Sequence, residues 1–226
     1  MKTETENIIV KYPTRNRPVK FKENLNKYIS TSSLKMTFII SIDTDDASMN
    51  NQEIKDFLAS KNSERINLQY FLGPSKGKIN AINRNIPSQD WNILIATADD
   101  MVPFPSWDKM ITADFGTDLF RALNYNTDPR LEEQGRDFKS LVTLPIIGKK
   151  LYDHFGYIYH PSYKSEYCDI EQTFVFDRMN ILTHIDKRPI VHKWHENQDD
   201  LMRKNITEGY SDRIVYEQRK TLGFPA

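Results

Sequence analysis

The sequence predicts an α/β fold with a mostly parallel central sheet. Short apolar runs alternate with helical patterns over the first half of the chain, which is the order expected of a parallel sheet. The runs are nearly continuous in apolar residues, as in strands that are buried on both faces. A polar loop follows each of the first three runs.

The first half of the chain contains the most regular elements. Strands are predicted over residues 8–12, 36–42 and 66–72 and within 92–103. Helices are predicted from apolar residues that share one face, namely Phe21, Leu25, Tyr28 and Ile29, then Ile54, Phe57 and Leu58 within 52–60, then Ile79, Ile82 and Ile86.

The second half alternates less regularly. The pattern predicts a helix over 107–115, strands over 119–125 and 140–147, a charged loop over 126–137, a helix from near Asp169, and a helical tail over 197–205 and 211–220. The aromatic segment 152–167 has no assigned element. Much of it is expected to pack internally, and some of its rings could form a platform for a sugar. The length fits a single domain, residues 1–226.

Composition limits the classes of protein. The 31 Lys and Arg balance the 31 Asp and Glu, so a nucleic-acid partner is not implied. Cys168 is the only cysteine, which excludes an intramolecular disulfide and a cysteine-rich zinc site. The sequence has neither a secretory signal pattern nor an apolar run near the roughly 20 residues of a membrane span. We therefore expect a cytoplasmic protein without a transmembrane segment.

Three polar segments follow strands of the predicted sheet. They are residues 13–18, residues 43–46 and the pair Asp99-Asp100. The carboxyl ends of parallel strands share one edge, where ligands bind in open α/β sheets, so these segments should meet at one crevice. Two carboxylates there suit Mg²⁺ or Mn²⁺ bridging phosphate oxygens, although an exposed acidic turn would also explain them.

The glycine-flanked loop 73–78 is not a P-loop. Three residues rather than four separate its glycines, and Ile79 follows Lys78 where that motif needs Ser or Thr. No G-x-G-x-x-G motif occurs, which disfavours a dinucleotide-binding fold. Lys76 and Lys78 are interpreted either as a solvated turn or as cations facing a diphosphate.

Two further pairs have both structural and chemical interpretations. His192 and His195 have the i,i+3 spacing of a helix, which is compatible with a structural pair or with a third ligand for the Asp99 metal. Asp169 and Glu171 are either acids favoured at a helix N-terminus or candidates for a general base. The sequence leaves both choices open.

Four motifs, in this order, resemble the family-two-like glycosyltransferases of the GT-A fold. The segment YPTRNRP (12–18) resembles the ending of the family's first strand, and SIDTDD (41–46) its acidic second-strand ending. KGKINAINRNI (76–86) is similar to a helix start of the family. Thr97-Ala98-Asp99 lies where the family has its D-x-D metal motif, with Thr97 replacing the first Asp.

The resemblance also reaches the second half of the chain. Asp169 matches the acid that serves as base in inverting members, with Cys168 in place of the Glu that often precedes it. His192 or His195 lies where many GT-A enzymes supply a C-terminal metal ligand. The implied fold is a Rossmann-like α/β/α sandwich with a helical C-terminal tail. Residues 7–105 would form a nucleotide-binding half, 106–195 an acceptor-binding half and 196–226 the tail.

The implied activity is transfer of a sugar from a nucleotide-diphosphate sugar to an acceptor hydroxyl, with inversion and with Mn²⁺ or Mg²⁺. Asp99 would hold the metal with Asp100 and one of His192 or His195. Asp169 would deprotonate the acceptor, and Glu171 is the substitute. The residues assigned to the donor besides Asp99 are Pro13, Thr14, Arg15, Arg17, Asp43, Lys78 and Asn83.

The acceptor and the reaction class have alternatives. A saccharide, a lipid-linked sugar and a protein all remain open as acceptors. A nucleotidyltransferase could use the same metal site to move a nucleotide instead of a sugar. A noncatalytic member of the family would bind a sugar or a partner protein without transfer.

Overall fold

The computed structural model describes residues 7–194 and 199–225, with residue 204 described through its backbone alone. Its strands are β1 (Ile8–Thr14), β2 (Met36–Asp43), β3 (Ile66–Gly73), β4 (Ile93–Ala96), β5 (Met101–Pro103), β6 (Ala122–Tyr125), β7 (Ile146–Gly148), β8 (Leu182–Ile185) and β9 (Ile190–His192). Its α-helices are α1 (Pro18–Thr31), α2 (Gln52–Ser60), α3 (Lys78–Asn83), α4 (Trp107–Phe115), α5 (Pro129–Glu133), α6 (Lys149–Phe155), α7 (Cys168–Arg178) and α8 (Asp200–Thr221).

A seven-stranded sheet in the order β3-β2-β1-β4-β7-β6-β8 forms the centre of the molecule. Strands β3, β2, β1 and β4 pair in parallel, as do β6 and β8. Strand β7 runs antiparallel to both of its neighbours. The prediction of a mostly parallel sheet is therefore confirmed. Strands β5 and β9 form a separate antiparallel pair, in which Met101 lies opposite His192.

Apolar side chains cover both faces of the sheet. On β1, Ile8, Val10 and Tyr12 belong to one buried cluster, whereas Ile9 belongs to the other. This alternation follows from the pleat, which points successive side chains to opposite faces. Helices α1, α2 and α4 pack on the first face, and α3, α6 and α7 pack on the second. The predicted α/β/α sandwich is thereby confirmed.

Most elements of the first half lie where the sequence predicts them. Helix α2 and helix α4 match their predicted bounds, and β1, β2 and β3 extend one or two residues past theirs. Helix α3 ends at Asn83, before Ile86, because Asn85 has a φ of 64° and Pro87 follows. A left-handed residue and an approaching proline both end a helix.

The second half departs further from the predictions. The strands predicted over 119–125 and 140–147 are shortened to β6 and β7, and a 3₁₀ turn occupies Phe138–Ser140. The predicted loop 126–137 contains α5, because the Asp128 side chain caps the helix that Pro129 begins. The unassigned aromatic segment includes the end of α6.

The C-terminal tail is one continuous helix, α8, and not two segments. Gly209 lies in its middle, where a Cβ would come within 2.8 Å of Glu166 Cγ, so the absence of a side chain permits close packing. The helical spacing predicted for His192 is wrong, because His192 ends a strand; His195 lies outside the described residues. Within residues 7–194 and 199–225, no helix combines the length and apolar character needed to cross a membrane.

Candidate functional site

The loops after β1 and β2 meet at the carboxyl edge of the sheet. Arg15 Nη1 donates to Asp43 Oδ2 at 2.9 Å and to Asp45 Oδ1 at 2.7 Å. The backbone N–H of Asn16 donates to Asp46 Oδ2 at 2.7 Å. Parallel pairing in register, with Thr14 opposite Ile42, brings these loops together. The predicted convergence of the two loops is confirmed.

A cleft opens beside these loops, and we call it the β1 cleft. Its volume is about 110 Å³. The predicted donor-binding residues that line it are Pro13, Thr14, Arg15, Arg17, Asp43, Lys78 and Asp99. Leu201, Asn205 and Glu208 of α8 form its opposite wall. Helix α8 is thus part of the site, which the sequence did not indicate.

Asn83 does not line this cleft. Its side-chain amide donates to the Tyr159 carbonyl at 2.6 Å, and its Oδ1 accepts from the backbone N–H groups of Ile158 and Tyr159, both at 3.0 Å. Asn83 therefore holds the loop that follows α6 and supports the wall of the site.

Two buried oxygens in the β1 cleft form no hydrogen bond of standard geometry among the described residues, although the Tyr12 and Thr14 hydroxyls are close enough to Asp99 to lower its pKa against the effect of burial. The two oxygens are Thr14 Oγ1 and Asp99 Oδ1. The other oxygen of Asp99 lies 3.9 Å from Arg17 Nη1, and Arg17 in turn bonds Asp199 at the start of α8. Burial raises the pKa of Asp99 to about 7, against the opposing charge of Arg17. Both oxygens can therefore accept a bond from a ligand.

Asp100 points to a second cleft, which we call the central cleft, with a volume of about 360 Å³. Asp100 Oδ2 lies 3.4 Å from His192 Nε2, and His192 Nδ1 lies 3.3 Å from Asp128 Oδ2. Burial alone would lower the pKa of His192, but the two carboxylates outweigh it and raise that pKa. The imidazole is therefore held between two acids.

Asp128 holds the His192 imidazole from the side opposite Asp100. Its side chain is fully buried and bonds the Arg130 guanidinium, whose carbon lies 4.7 Å from the centre of the Trp194 ring. Burial alone would raise the pKa of Asp128, and the bonds from Arg130 and His192 lower it below its usual range.

The predicted metal ligands do not form one cluster. Asp99 faces the β1 cleft, whereas Asp100 faces His192 in the central cleft. No group of three or more His, Cys, Asp or Glu in the described part of the chain is arranged to hold a metal ion. A joint site of Asp99, Asp100 and His192 is thus not confirmed, because adjacent turn residues point apart.

Asp169 lies in the first turn of α7 and lines the central cleft. Burial raises the pKa of its carboxyl, Lys78 opposes the shift and Glu166 adds to it. Lys78 Nζ lies 3.6 Å from Glu166 Oε1. The carboxyl of Asp169 is therefore more basic than an ordinary aspartate and has one cation, Lys78, nearby.

Glu171 is not brought to either cleft. Its carboxylate accepts two bonds from Arg219, at 2.9 Å from Nε and 2.8 Å from Nη2, and a further bond from the Tyr163 hydroxyl. Residues two apart on a helix face different directions, so Asp169 and Glu171 cannot share a site. The structure gives Glu171 a packing role between α7 and α8 and does not place it as the substitute base.

Gly77 positions Lys78 at the junction of the clefts. Its φ is +93°, and a Cβ there would lie 2.8 Å from the carbonyl oxygen of Lys164. Glycine is required on both grounds. The carbonyl of Lys164 also accepts the N–H of Ile79, which fixes the start of α3.

Comparison with known proteins addresses the fold. No family model and no curated protein matches the sequence. Mannosyltransferase PcManGT from Pyrobaculum calidifontis, in complex with GDP-Man and Mn²⁺, matches with a TM-score of 0.64 and 16% identity over 94% of this chain and 65% of its own. S. aureus TarS matches with a TM-score of 0.59 and 15% identity over 83% of this chain and 36% of its own. The chain has the GT-A glycosyltransferase fold.

Another TarS structure, TarS 1-349 in complex with UDP-GlcNAc, matches this GT-A fold with a TM-score of 0.60 and 15% identity over 82% of this chain and 58% of its own. The chain thus spans between about a third and two thirds of the length of these proteins.

Several residues of the site in this GT-A domain were missed by sequence reasoning. Arg84 donates to Asp43 Oδ1 at 2.9 Å and lies within the 76–86 motif, which could have indicated it. Asp128 precedes Pro129, a helix-start signal that could have marked it as ordered. The α8 residues that line the site could not be identified from any local sequence pattern, because their position depends on how the C-terminal helix packs against the sheet.

Proposed function

We propose that this chain is a glycosyltransferase that moves a sugar from a nucleotide-diphosphate sugar to an acceptor hydroxyl, with inversion at the anomeric carbon. The observation that carries the proposal is the meeting of Thr14, Asp43 and Asp99 with Arg17 and Lys78 in the β1 cleft, where Thr14 Oγ1 and Asp99 Oδ1 form no hydrogen bond of standard geometry. A buried polar atom without a partner is costly, so these atoms are expected to meet a ligand. The ribose hydroxyls of a nucleotide would supply the missing donors.

Recognition of the nucleotide is assigned to the β1 cleft. Asp43 is held in place by Arg15 and Arg84, so its carboxylate would be oriented to accept an N–H of the base. Arg17 and Lys78 line both the β1 cleft and the central cleft, where their charges would attract the diphosphate. Structural neighbours solved with GDP-Man and with UDP-GlcNAc support a donor of this class.

Mn²⁺ or Mg²⁺ is assigned to Asp100 and His192, with Asp99 reassigned to a ribose hydroxyl. Asp100 Oδ2 and His192 Nε2 face each other at 3.4 Å and would hold a divalent cation, which would displace the proton that the two carboxylates favour on the imidazole. Asp128 on the other imidazole nitrogen resembles the carboxylate that orients metal-binding histidines. Such a cation would neutralise charge on the leaving diphosphate.

Transfer is assigned to the side of the central cleft that carries Asp169. Its carboxylate would take the proton of the acceptor hydroxyl, whose oxygen then forms the bond to the anomeric carbon. The bond from that carbon to the diphosphate breaks, and the nucleoside diphosphate leaves with its electron pair. Since one displacement occurs on the face opposite the leaving group, the configuration inverts.

The test is a thermal-shift panel of nucleoside diphosphates and nucleotide sugars, with and without Mn²⁺. At least one nucleotide should raise the melting temperature, and Mn²⁺ should increase that shift. In Asp100→Asn the increase due to Mn²⁺ should vanish. In Asp99→Asn the shift caused by nucleotide without Mn²⁺ should shrink. Asp118→Asn, at an exposed acid, is the control.

The alternatives have distinct outcomes in this panel and in an assay of the products released. Release of pyrophosphate from a nucleoside triphosphate, with no release of nucleoside diphosphate from a nucleotide sugar, would favour the nucleotidyltransferase. The absence of stabilisation by any nucleotide would favour a noncatalytic member. Loss of the Mn²⁺ effect in Asp99→Asn but not in Asp100→Asn would return the cation to Asp99.

A further inference from the structure

A third cleft lies beyond Asp169 and is used by no step described so far. We call it the outer cleft; its volume is about 470 Å³. It continues from the central cleft, because Arg130, Glu166, Asp169 and Ile206 line both. A molecule seated in it would therefore reach the carboxylate that is assigned as the base.

Three arginines and two acids line the outer cleft; of the acids, Glu166 lies 3.6 Å from Lys78 Nζ and Asp169 is the assigned base. The arginines are Arg130, Arg136 and Arg213. Arg130 is neutralised by Asp128, but among the described residues neither Arg136 nor Arg213 forms an ion pair. Arg136 has one side-chain bond, from Nη2 to Ser140 Oγ at 3.3 Å. Two guanidinium groups are thus available to a ligand.

Exposed apolar side chains border the same cleft. Ile206 and Tyr210, four residues apart on α8, line it and are 49% and 73% exposed. Ile170 at the start of α7 is 39% exposed and also lines the cleft, as does Tyr167. Such side chains normally avoid water, and a tyrosine ring can pack against the apolar face of a sugar.

From this combination we infer that the outer cleft binds the acceptor and that the acceptor is a saccharide bearing anionic groups, carboxylate or phosphate. The inference rests on the proposed function. Guanidinium is planar and donates paired hydrogen bonds that match the oxygens of either group. Tyr210 and Ile206 would hold a ring of the saccharide while Arg136 and Arg213 bind its charges. A hydroxyl of the terminal sugar would then face Asp169.

Binding to matched charged and neutral saccharides tests the inference. Isothermal titration of the full chain would compare tetragalacturonate with its methyl ester, and phosphorylated maltotetraose with maltotetraose. In at least one pair the anionic member should bind at least tenfold more tightly. Its affinity should fall as salt rises, because salt screens exposed charges.

Arginine variants identify the side chains that bind the anionic saccharide. The double variant Arg136→Gln with Arg213→Gln should bind the preferred anionic saccharide at least tenfold more weakly. Arg203→Gln should bind it as the unchanged chain does, because Arg203 is an exposed arginine of the same helix that pairs with Asp200 and lies outside the clefts. Equal losses in both variants would overturn the inference.

Nucleotide stabilisation separates this inference from the proposed function. If nucleotides stabilise the chain but charged and neutral saccharides bind equally or not at all, the inference is wrong and the proposed function stands. If no nucleotide stabilises the chain, the proposed function fails and the acceptor role of the cleft fails with it. Arginine-dependent binding to phosphatidylglycerol vesicles, without binding to either anionic saccharide, would overturn the inference in favour of a lipid surface.

Discussion

At the scale of single residues, Asp99 and Asp100 are adjacent in sequence and serve different clefts. The side chain of Asp99 is buried beside Arg17, whereas Asp100 faces His192. A turn follows β4 here, so successive side chains leave the strand in different directions. Under the proposed function, the chain would thereby present one carboxylate to a ribose and the next to a cation.

Asp169→Asn should separate binding from transfer. An amide cannot accept the proton of the acceptor, so transfer should fall at least a hundredfold while nucleotide stabilisation persists. The rate of nucleoside diphosphate release with an acceptor measures transfer. Asp153→Asn, which changes an exposed acid on α6, should keep the original rate. An unchanged rate in Asp169→Asn would remove it as the base.

Lys11 gives the protein a predictable response to pH. It is buried, bonds Ser41 Oγ and donates to the Arg84 carbonyl at 2.7 Å. Burial first, and the charge of Arg84 second, lower its pKa to about 7. At pH values between this folded-state pKa and the higher pKa of Lys11 in the unfolded chain, the amine is protonated only in the unfolded state. The free energy of unfolding therefore rises with pH across that range, and Lys11 contributes no further change at pH values below the folded-state pKa.

Lys11→Met should remove that pH dependence. The slope lost between pH 7 and 10 should approach about 1.4 kcal/mol per pH unit, the value for one proton. Urea unfolding at several pH values measures it. Lys27→Met, at an exposed lysine of α1, should retain the original slope. If the free energy of unfolding had the same dependence on pH in Lys11→Met as in the unchanged chain, the buried amine of Lys11 would not be neutral in the folded protein.

At the scale of elements, α8 contributes a wall to each of the three clefts. Leu201 and Glu208 line the β1 cleft, Met202 the central cleft and Tyr210 the outer cleft. Buried polar contacts attach the helix to the rest of the domain. Asp212 is 1% exposed and accepts the backbone N–H groups of residues 164–166, at 2.7 to 3.0 Å.

Asp212→Ala should loosen α8. Three backbone N–H groups, of which that of Ser165 is buried, would lose their carboxylate acceptor, and the expected cost is about 2–4 kcal/mol of unfolding free energy. Chemical denaturation measures it, with Glu217→Ala on the exposed side of α8 as control. A cost below about 0.5 kcal/mol would mean that apolar packing alone holds the helix.

The start of α5 positions His192, which belongs to the proposed cation site. Asp128→Asn removes the charge opposite His192 Nδ1, so Mn²⁺ affinity should fall by about 10-fold to 100-fold. Isothermal titration with Mn²⁺ and nucleoside diphosphate measures it. Asp137→Asn, which changes the cap of the neighbouring 3₁₀ turn, should leave Mn²⁺ affinity unchanged. Equal affinity in Asp128→Asn would leave Asp128 with a purely structural role.

At the scale of the whole molecule, parallel pairing and the packing of α8 join distant segments into one site. Arg17 and Asp199 are 182 positions apart and form an ion pair with an N–O distance of 2.6 Å. The β1 cleft and the central cleft meet α8 over the same stretch, residues 201–208, and the outer cleft meets it over residues 206–213. We propose that the nucleotide of the donor lies in the β1 cleft, the cation and the base in the central cleft, and the acceptor in the outer cleft.

A nucleotide in the β1 cleft should therefore protect α8 from hydrogen exchange. The nucleoside diphosphate that stabilises the chain should slow exchange over residues 200–209, because α8 forms a wall of that cleft. Hydrogen exchange with mass spectrometry measures it. Helix α2, which lines none of the three clefts, is the internal control. Equal protection of both helices would indicate general stabilisation instead.

The sequence by itself determined the α/β class, the first three strands, the helices α1, α2 and α4, and the meeting of the loops after β1 and β2. These features follow from local periodicity and from the shared edge of parallel strands. Only the tertiary structure decided that Asp99 and Asp100 diverge, that Glu171 binds Arg219, and that α8 lines the clefts. These depend on contacts between residues far apart in the chain, which packing selects and no local pattern records.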